Sequence, residues 1–284
     1  MTATDDRSIA AYHWGSERSP RALIVLAHGM GEHAQRYRPV LAPLIETGID
    51  VYALDHRGHG ATAADAKQLG DFGPSGFAAL VADLVTLTGI AKRENPDSAV
   101  VLLGHSMGSM AAQLFAVQHS DLIDGLALSG TAAVDQVAQA ARNPNLLGML
   151  NASFEPARTA FDWLSRDEHE VDAYIADPLC GFALKPESFG SMLSYGTQLA
   201  HPAQLARIRK DLPIYVFSGD HDPLSLDLHA LQPVIDRYRA AGLRVDVDIY
   251  PGARHEILNE TNRADVLDAL SRWISKVITA WPRP

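Results

Sequence analysis

Short apolar runs alternate with stretches whose apolar positions recur every three or four residues. Ala22-Leu23-Ile24-Val25-Leu26-Ala27 is apolar at every position, and residues 98–103 are apolar after Ser98. Such runs are the pattern of strands buried on both faces. Residues 50–54 and 126–128 add two more strands, and residues 9–14 read as an edge strand. Between them, Tyr37, Val40, Leu41, Leu44 and Ile45 fall at helical spacing and stop at Thr47-Gly48. Phe77, Leu80, Val81, Leu84, Leu87 and Ala91 form a second such stripe, and good helix formers fill residues 109–117. The alternation lapses between Thr131 and Ile208, where amphipathic helical patches occur without a convincing strand. It resumes with a strand over 213–217, a helix over 226–241, a strand over 244–250 and a last helix carrying Val266, Leu270, Trp273, Ile274 and Val277.

This regular alternation predicts an α/β fold, a mostly parallel central sheet with helices on both faces. The expected organisation is a core of residues 1–130 and 209–284, interrupted by an inserted helical cap, or lid, over 131–208. A second reading of residues 98–118 has to be removed, because they contain no Asp, Glu, Lys or Arg and approach the length of a membrane span. The Gly104-His105-Ser106-Met107-Gly108-Ser109 centre would place polar and helix-breaking residues at the bilayer midplane, so a core strand and helix joined by a tight turn explain the stretch better.

Composition narrows the function classes. The 284 residues are 47% hydrophobic and 20% charged, ordinary for a globular chain with a substantial core. A formal net charge of −10 argues against a nucleic-acid partner. A polar, acidic start without an apolar stretch behind it, together with one cysteine, predicts a reducing cytoplasm. That cysteine, Cys180, reads as a small buried hydrophobe, because no histidine lies close to it in sequence.

The chemistry gathers at Gly104-His105-Ser106-Met107-Gly108. A Gly-x-Ser-x-Gly turn between a buried strand and a helix is the nucleophile elbow of a serine hydrolase. A serine nucleophile needs a base, and the base needs an orienting carboxylate. In open α/β sheets both come from loops at the carboxyl ends of strands, in the chain order serine, acid, histidine. Of the twelve histidines, His255 follows the last strand and is the expected base. His28, His56 and His59 precede the serine in glycine turns and read as structural. The loop after Phe217 offers two acids, Asp220 and Asp222, and Asp55 reads as the pin of the Arg57-Gly58-His59-Gly60 turn. Backbone N–H groups of Met107, after the nucleophile, and Met30, in His28-Gly29-Met30-Gly31, are the expected oxyanion donors.

Taken together, these motifs resemble α/β-hydrolases of the monoacylglycerol lipase/lysophospholipase group, over nearly the whole chain. The resemblance rests on His28-Gly29-Met30-Gly31-Glu32-His33 with Arg36-Tyr37, Leu54-Asp55-His56-Arg57-Gly58-His59-Gly60, the Ser106 elbow, Gly219-Asp220-His221-Asp222 and the His255 loop. It implies Ser106, Asp222 and His255 as the catalytic triad, which selects Asp222 over Asp220, and Met30 and Met107 as the oxyanion hole. Ser165-Arg166-Asp167 and Asp177-Pro178-Leu179 resemble this family's cap. Ser109 and Gly60-Ala61-Thr62 depart from its usual pattern, where a glycine and Gly-Arg-Ser are common. The activity implied is cleavage of carboxylic esters, monoacylglycerols first, through an acyl-enzyme on Ser106. Substrate-binding residues are expected in the cap between Thr131 and Ile208. Its apolar side chains, Leu146, Leu147, Met149, Leu150, Phe154, Phe161, Trp163, Leu179, Phe182, Leu184, Met192, Leu193 and Tyr195, divide among seating the cap, lining an acyl tunnel and docking transiently on a membrane. A lysophospholipase, a carboxylesterase or a thioesterase would use the same triad. A dehalogenase or epoxide hydrolase would need an aspartate at the elbow. A catalytically inactive binding module of this fold would tend to lack a triad member, and none is missing. No cofactor fingerprint and no metal-ligand spacing are read from the sequence.

Overall fold

Every apolar run pairs with another. In the computed structural model, which describes residues 1–15, 19–143, 145–225 and 228–281 with the side chains of Leu146 and Leu147 outside that set, seven strands form one sheet. They are β1 (Ala11–Trp14), β2 (Ala22–Ala27), β3 (Ile49–Leu54), β4 (Ala99–His105), β5 (Gly125–Ser129), β6 (Ile214–Gly219) and β7 (Val245–Tyr250), in the order β1-β3-β2-β4-β5-β6-β7. Only β1 runs antiparallel, against β3. All other neighbours are parallel.

Successive side chains of a strand point to opposite faces, and this splits each apolar run between two cores. Leu23, Val25, Val100, Leu102, Leu126, Leu128, Ile214 and Val216 face one side. Helices α2 (Gly76–Glu94), α3 (Met107–His119) and α10 (Gln232–Ala240) cover it with residues such as Leu80, Leu114 and Ile235. Ile24, Leu26, Val101, Leu103, Tyr215 and Phe217 face the other. There α1 (Tyr37–Glu46) and α11 (Arg263–Ala280) pack Leu41, Leu44, Leu270 and Ile274. Each fully buried aliphatic or aromatic side chain contributes about 1.5–3 kcal/mol, which makes these two layers the frame that holds the rim loops still.

Helix α10 starts later than the apolar spacing predicts. Leu226 and Asp227 lie outside the described residues, Leu228 has φ of 68°, and the helix begins at Gln232 with Pro233 in its first turn. Proline lacks the N–H that a first turn does not need and has its φ already set for the helix.

Six short helices, α4 (Val134–Ala140), α5 (Leu146–Met149), α6 (Glu168–Ala176), α7 (Pro186–Leu193), α8 (Gly196–Ala200) and α9 (Pro202–Leu205), lie between β5 and β6. No strand occurs there among the described residues, and no described helix is long and apolar enough to cross a membrane. Because β2 to β7 run in one direction, the loops that leave β2, β4, β6 and β7 gather on one rim of the sheet.

Candidate active site

Ser106 caps the start of α3 with φ of 53° and ψ of −121°, a backbone region that side-chain-bearing residues seldom occupy. The turn closes so tightly that a Cβ on Gly108 would overlap the Ala27 carbonyl, and one on Gly104 would lie 2.5 Å from the Gly108 oxygen. Only glycine fits either place. The Ser109 hydroxyl donates to the Ser106 carbonyl at 2.5 Å and bonds Thr131 Oγ1 at 2.8 Å. The departure from glycine at this position therefore ties the elbow to the loop after β5.

His255 follows β7 and is 2% exposed. Its Nδ1 bonds Asp222 Oδ1 at 2.9 Å, leaving Nε2 as the nitrogen available to a hydroxyl. Asp222 is itself fixed, accepting the Leu224 N–H at 2.9 Å and the Ser218 hydroxyl at 3.3 Å. Asp220 does a different job, accepting the Gly252 N–H at 2.7 Å and so tying the β6 loop to the β7 loop. Burial alone would pull the His255 imidazole down. The Asp222 charge and hydrogen bond, backed by Glu256 and Glu32, outweigh burial and hold it above the ordinary 6.5. The rings of His105 and Trp163 cover His255 at centroid distances of 4.8 and 5.0 Å. His105 has no such carboxylate partner, and burial pushes it down to about 4.

The backbone N–H groups of Met30 and Met107 make no hydrogen bond within the described residues, so both are free to meet an incoming oxygen. The Met30 loop is held by Glu32, whose Oε1 accepts the Gly29 N–H at 2.5 Å and the Tyr37 hydroxyl at 2.7 Å. Arg36 then bridges to the His255 loop: Nη1 reaches Glu32 at 2.6 Å, and both guanidinium arms take Glu256 at 2.7 and 2.8 Å. With Arg36 against it, Glu256 is held well below the usual carboxylate range. Sequence reading missed this strut. The four-residue spacing of Glu32 and Arg36 was visible, but Glu256 lies 220 residues away from Arg36.

Residues 162–166 of the inserted segment grip the same His255 loop. Leu164 O accepts the Glu256 N–H at 2.7 Å, and Arg254 Nη1 donates to the carbonyls of Asp162 and Ser165 at 2.5 and 3.0 Å. Arg166 donates to Glu260 through its backbone N–H and Nε at 3.0 and 2.9 Å.

Ser106 and His255 open onto two cavity branches. One, of about 300 Å³, is lined by Glu32, Tyr174 and Glu256 together with Phe161, Trp163 and Phe182. The other is a narrow slot of about 50 Å³ between Met30, Met107, Met110, Val137, Phe189, Met192 and Leu224. Phe161, Trp163, Phe182, Phe189 and Met192, all from the inserted segment, thus reach the site. Met149 and Leu179 are exposed instead, and Leu146 and Leu147 lie outside the described side chains. Cys180 corrects its sequence reading. It is half-buried, and His33, distant in sequence, stands beside it.

Residues 18–262 match the Hydrolase_4 family, described as serine aminopeptidase S33. The chain is 33% identical over 264 residues to the monoacylglycerol lipase of Mycolicibacterium smegmatis, covering 92% of this chain and 90% of that one. It is 27% identical over 290 residues to the monoglyceride lipase of Mus musculus, covering 99% and 91%. Among solved structures, a thermostable carboxyl esterase from Bacillus coagulans in complex with glycerol superposes with a TM-score of 0.88 at 28% identity, covering 98% of this chain and 97% of that one. A soluble variant of the monoglyceride lipase from Saccharomyces cerevisiae shares the fold, with a TM-score of 0.74 at 20% identity over 94% and 90% of the two chains.

Proposed function

The chain belongs to the Hydrolase_4 family and is a carboxylic ester hydrolase of the α/β-hydrolase fold; from that premise we propose that Ser106, Asp222 and His255 are its triad and monoacylglycerols its substrates. The observation that carries this reading is the strained Ser106 elbow, which shares both cavity branches with a His255 held at 2.9 Å by Asp222.

In the proposed reaction Ser106 Oγ bonds the ester carbonyl carbon while its proton passes to His255 Nε2. The carbonyl oxygen takes up the electron pair and accepts hydrogen bonds from the Met30 and Met107 N–H groups, each worth about 3–4 kcal/mol in the transition state. Collapse breaks the bond to the alcohol oxygen, which leaves with the His255 proton. Water then repeats the sequence and frees the fatty acid. Asp222 keeps the ring in the tautomer that exposes Nε2 and stabilises the imidazolium.

Both branches are walled largely by apolar side chains, the larger by Phe161, Trp163 and Phe182 and the narrow slot by Met30, Met107, Met110 and Met192, which suits an ester carrying an apolar acyl chain. Met149, Ile175 and Leu179, exposed on the inserted segment, suit a transient dock on a lipid surface. A lone cysteine suits a reducing cytoplasm.

A fluorophosphonate probe is expected to label the protein, and Ser106→Ala to abolish labelling and lower turnover by roughly 10⁶-fold. Across monoacylglycerols, lysophosphatidylcholine and acyl thioesters of graded length, kcat/KM is expected to be highest for monoacylglycerols. Faster cleavage of lysophosphatidylcholine would overturn the substrate. Labelling that survives Ser106→Ala would overturn the nucleophile.

A further inference from the structure

We propose that His33, Asp177 and Cys180 form a binding site for a zinc-type divalent cation, clamping the inserted segment to the loop that follows β2. One donor atom from each of the three lies within 4.8 Å of the other two. His33 Nε2 and Asp177 Oδ2 are 2.9 Å apart. All three side chains are partly buried, so a bound ion would be shielded on one side and open to water on the other.

The backbone that carries these donors is already fixed. Asp177 and Cys180 flank the turn after α6, in which the Cys180 N–H donates to the Asp177 carbonyl at 3.0 Å and the Leu179 N–H to Asp177 Oδ1 at 2.8 Å. The turn is fastened to the His33 loop through Gly31 O, which accepts the Gly181 N–H and the Tyr174 hydroxyl, each at 2.9 Å. An ion therefore meets a preorganised set rather than three side chains on separate mobile segments.

The donor chemistry selects the ion. One thiolate, one imidazole and one carboxylate with an open fourth position make a tetrahedral zinc site. Magnesium and calcium prefer oxygen alone. Ligands 2.0–2.3 Å from zinc stand roughly 3.3–3.7 Å apart, so His33 and Asp177 separate by a few tenths of an ångström while Cys180 Sγ closes in. The local charge also draws a cation. Arg36, the positive group facing Cys180, is already engaged by two carboxylates, Glu32 and Glu256. The ligands lie 144 residues apart between His33 and Asp177, which is why no metal-ligand spacing shows in the sequence.

Cobalt(II) tests the site without reference to turnover. The chain has one cysteine, so a near-ultraviolet thiolate-to-cobalt charge-transfer band can come from Cys180 alone. Titrating chelator-treated protein with cobalt chloride is expected to raise that band to saturation at one ion per chain, with zinc chloride bleaching it. C180S is expected to lack the band, and H33Q and D177N to weaken the affinity more than about tenfold, all three still taking the fluorophosphonate label as evidence of folding. No band in the wild type, or a band of unchanged affinity in H33Q and D177N, would overturn the proposal. Because the readout is spectral, a different ester specificity would leave the site standing.

Discussion

His255 and a cluster of three other buried histidines share one rim of the sheet, and their surroundings drive them in opposite directions. His255 is raised above 6.5. His28, His56 and His59, in the loops after β2 and β3, are pushed down, His28 to about 4, His59 to about 3 and His56 well below its ordinary value, with burial as the largest cause in each case. His28 is locked as a neutral ring, Nδ1–H donating to Gly29 O at 2.8 Å and Nε2 accepting the His56 N–H at 2.9 Å. Among the described residues, both nitrogens of His56 and the Nε2 of His59 are buried without a hydrogen-bond partner. Asp55, the acid whose charge reaches His28 and His59, is occupied: it accepts the N–H groups of Ala34 and Ala61 at 2.9 and 2.7 Å and the Tyr12 hydroxyl at 2.7 Å. Burial alone keeps an imidazole neutral, and a carboxylate on its Nδ1 raises the same ring toward the range a general base needs.

The sharpest way to break this contrast is Asp222→Asn, which should make His255 resemble the neutral cluster. A loss of about 10⁴-fold in kcat is expected. The base must be neutral to accept the serine proton, so wild-type kcat/KM should rise with pH through an inflection above 6.5, and the variant's inflection should fall below the wild type's. A wild-type inflection below 6.5 would show that Asp222 does not dominate the ring.

Arg36→Met is next in size. It leaves Glu32 and Glu256 buried without their cation, and a loss of about 3–5 kcal/mol in urea unfolding is expected. Arg36→Lys keeps the charge but not the two-armed contact with Glu256, and should fall between the two.

The smallest effect concerns the neutral cluster. Below about pH 6.5 unfolded histidines take up protons, whereas folded His59 stays neutral down to about 3. Its contribution is therefore intact above 6.5 and is lost as pH falls. The loss approaches about 1.4 kcal/mol per pH unit for each such histidine. His59→Phe should remove about 2.5 kcal/mol of the stability lost between pH 6 and pH 4, read from urea unfolding at the two pH values.

Much of this was legible from residue order. The alternation of apolar runs fixed the sheet and both helix layers, because a parallel strand buried on both faces has to be apolar throughout. Ser106 was legible because only a glycine-flanked turn fits between β4 and α3. His255 was legible because rim loops follow strands. Residue order alone left Asp220 and Asp222 open, since both sit in one tight turn; the family resemblance selected Asp222, whose Oδ1 lies 2.9 Å from His255 Nδ1. Arg36 with Glu256, Leu164 with Glu256, and His33 with Cys180 escaped notice for a related reason. Each joins segments far apart in sequence, and nothing local in either segment marks the other as its partner.

The grip of residues 162–166 on the loop from Arg254 to Glu260 bears on how such a molecule changes over generations. Those residues look like part of a replaceable cover, yet their carbonyls hold the loop that carries His255. Grafting a foreign cover onto this scaffold would exchange the walls of the narrow slot and loosen the His255 loop in the same stroke, unless that short foot were kept. Substitutions meant to reshape the slot therefore belong in α4 and α7, through Val137, Phe189 and Met192, while residues 162–166 and the His255 loop are best kept as one piece.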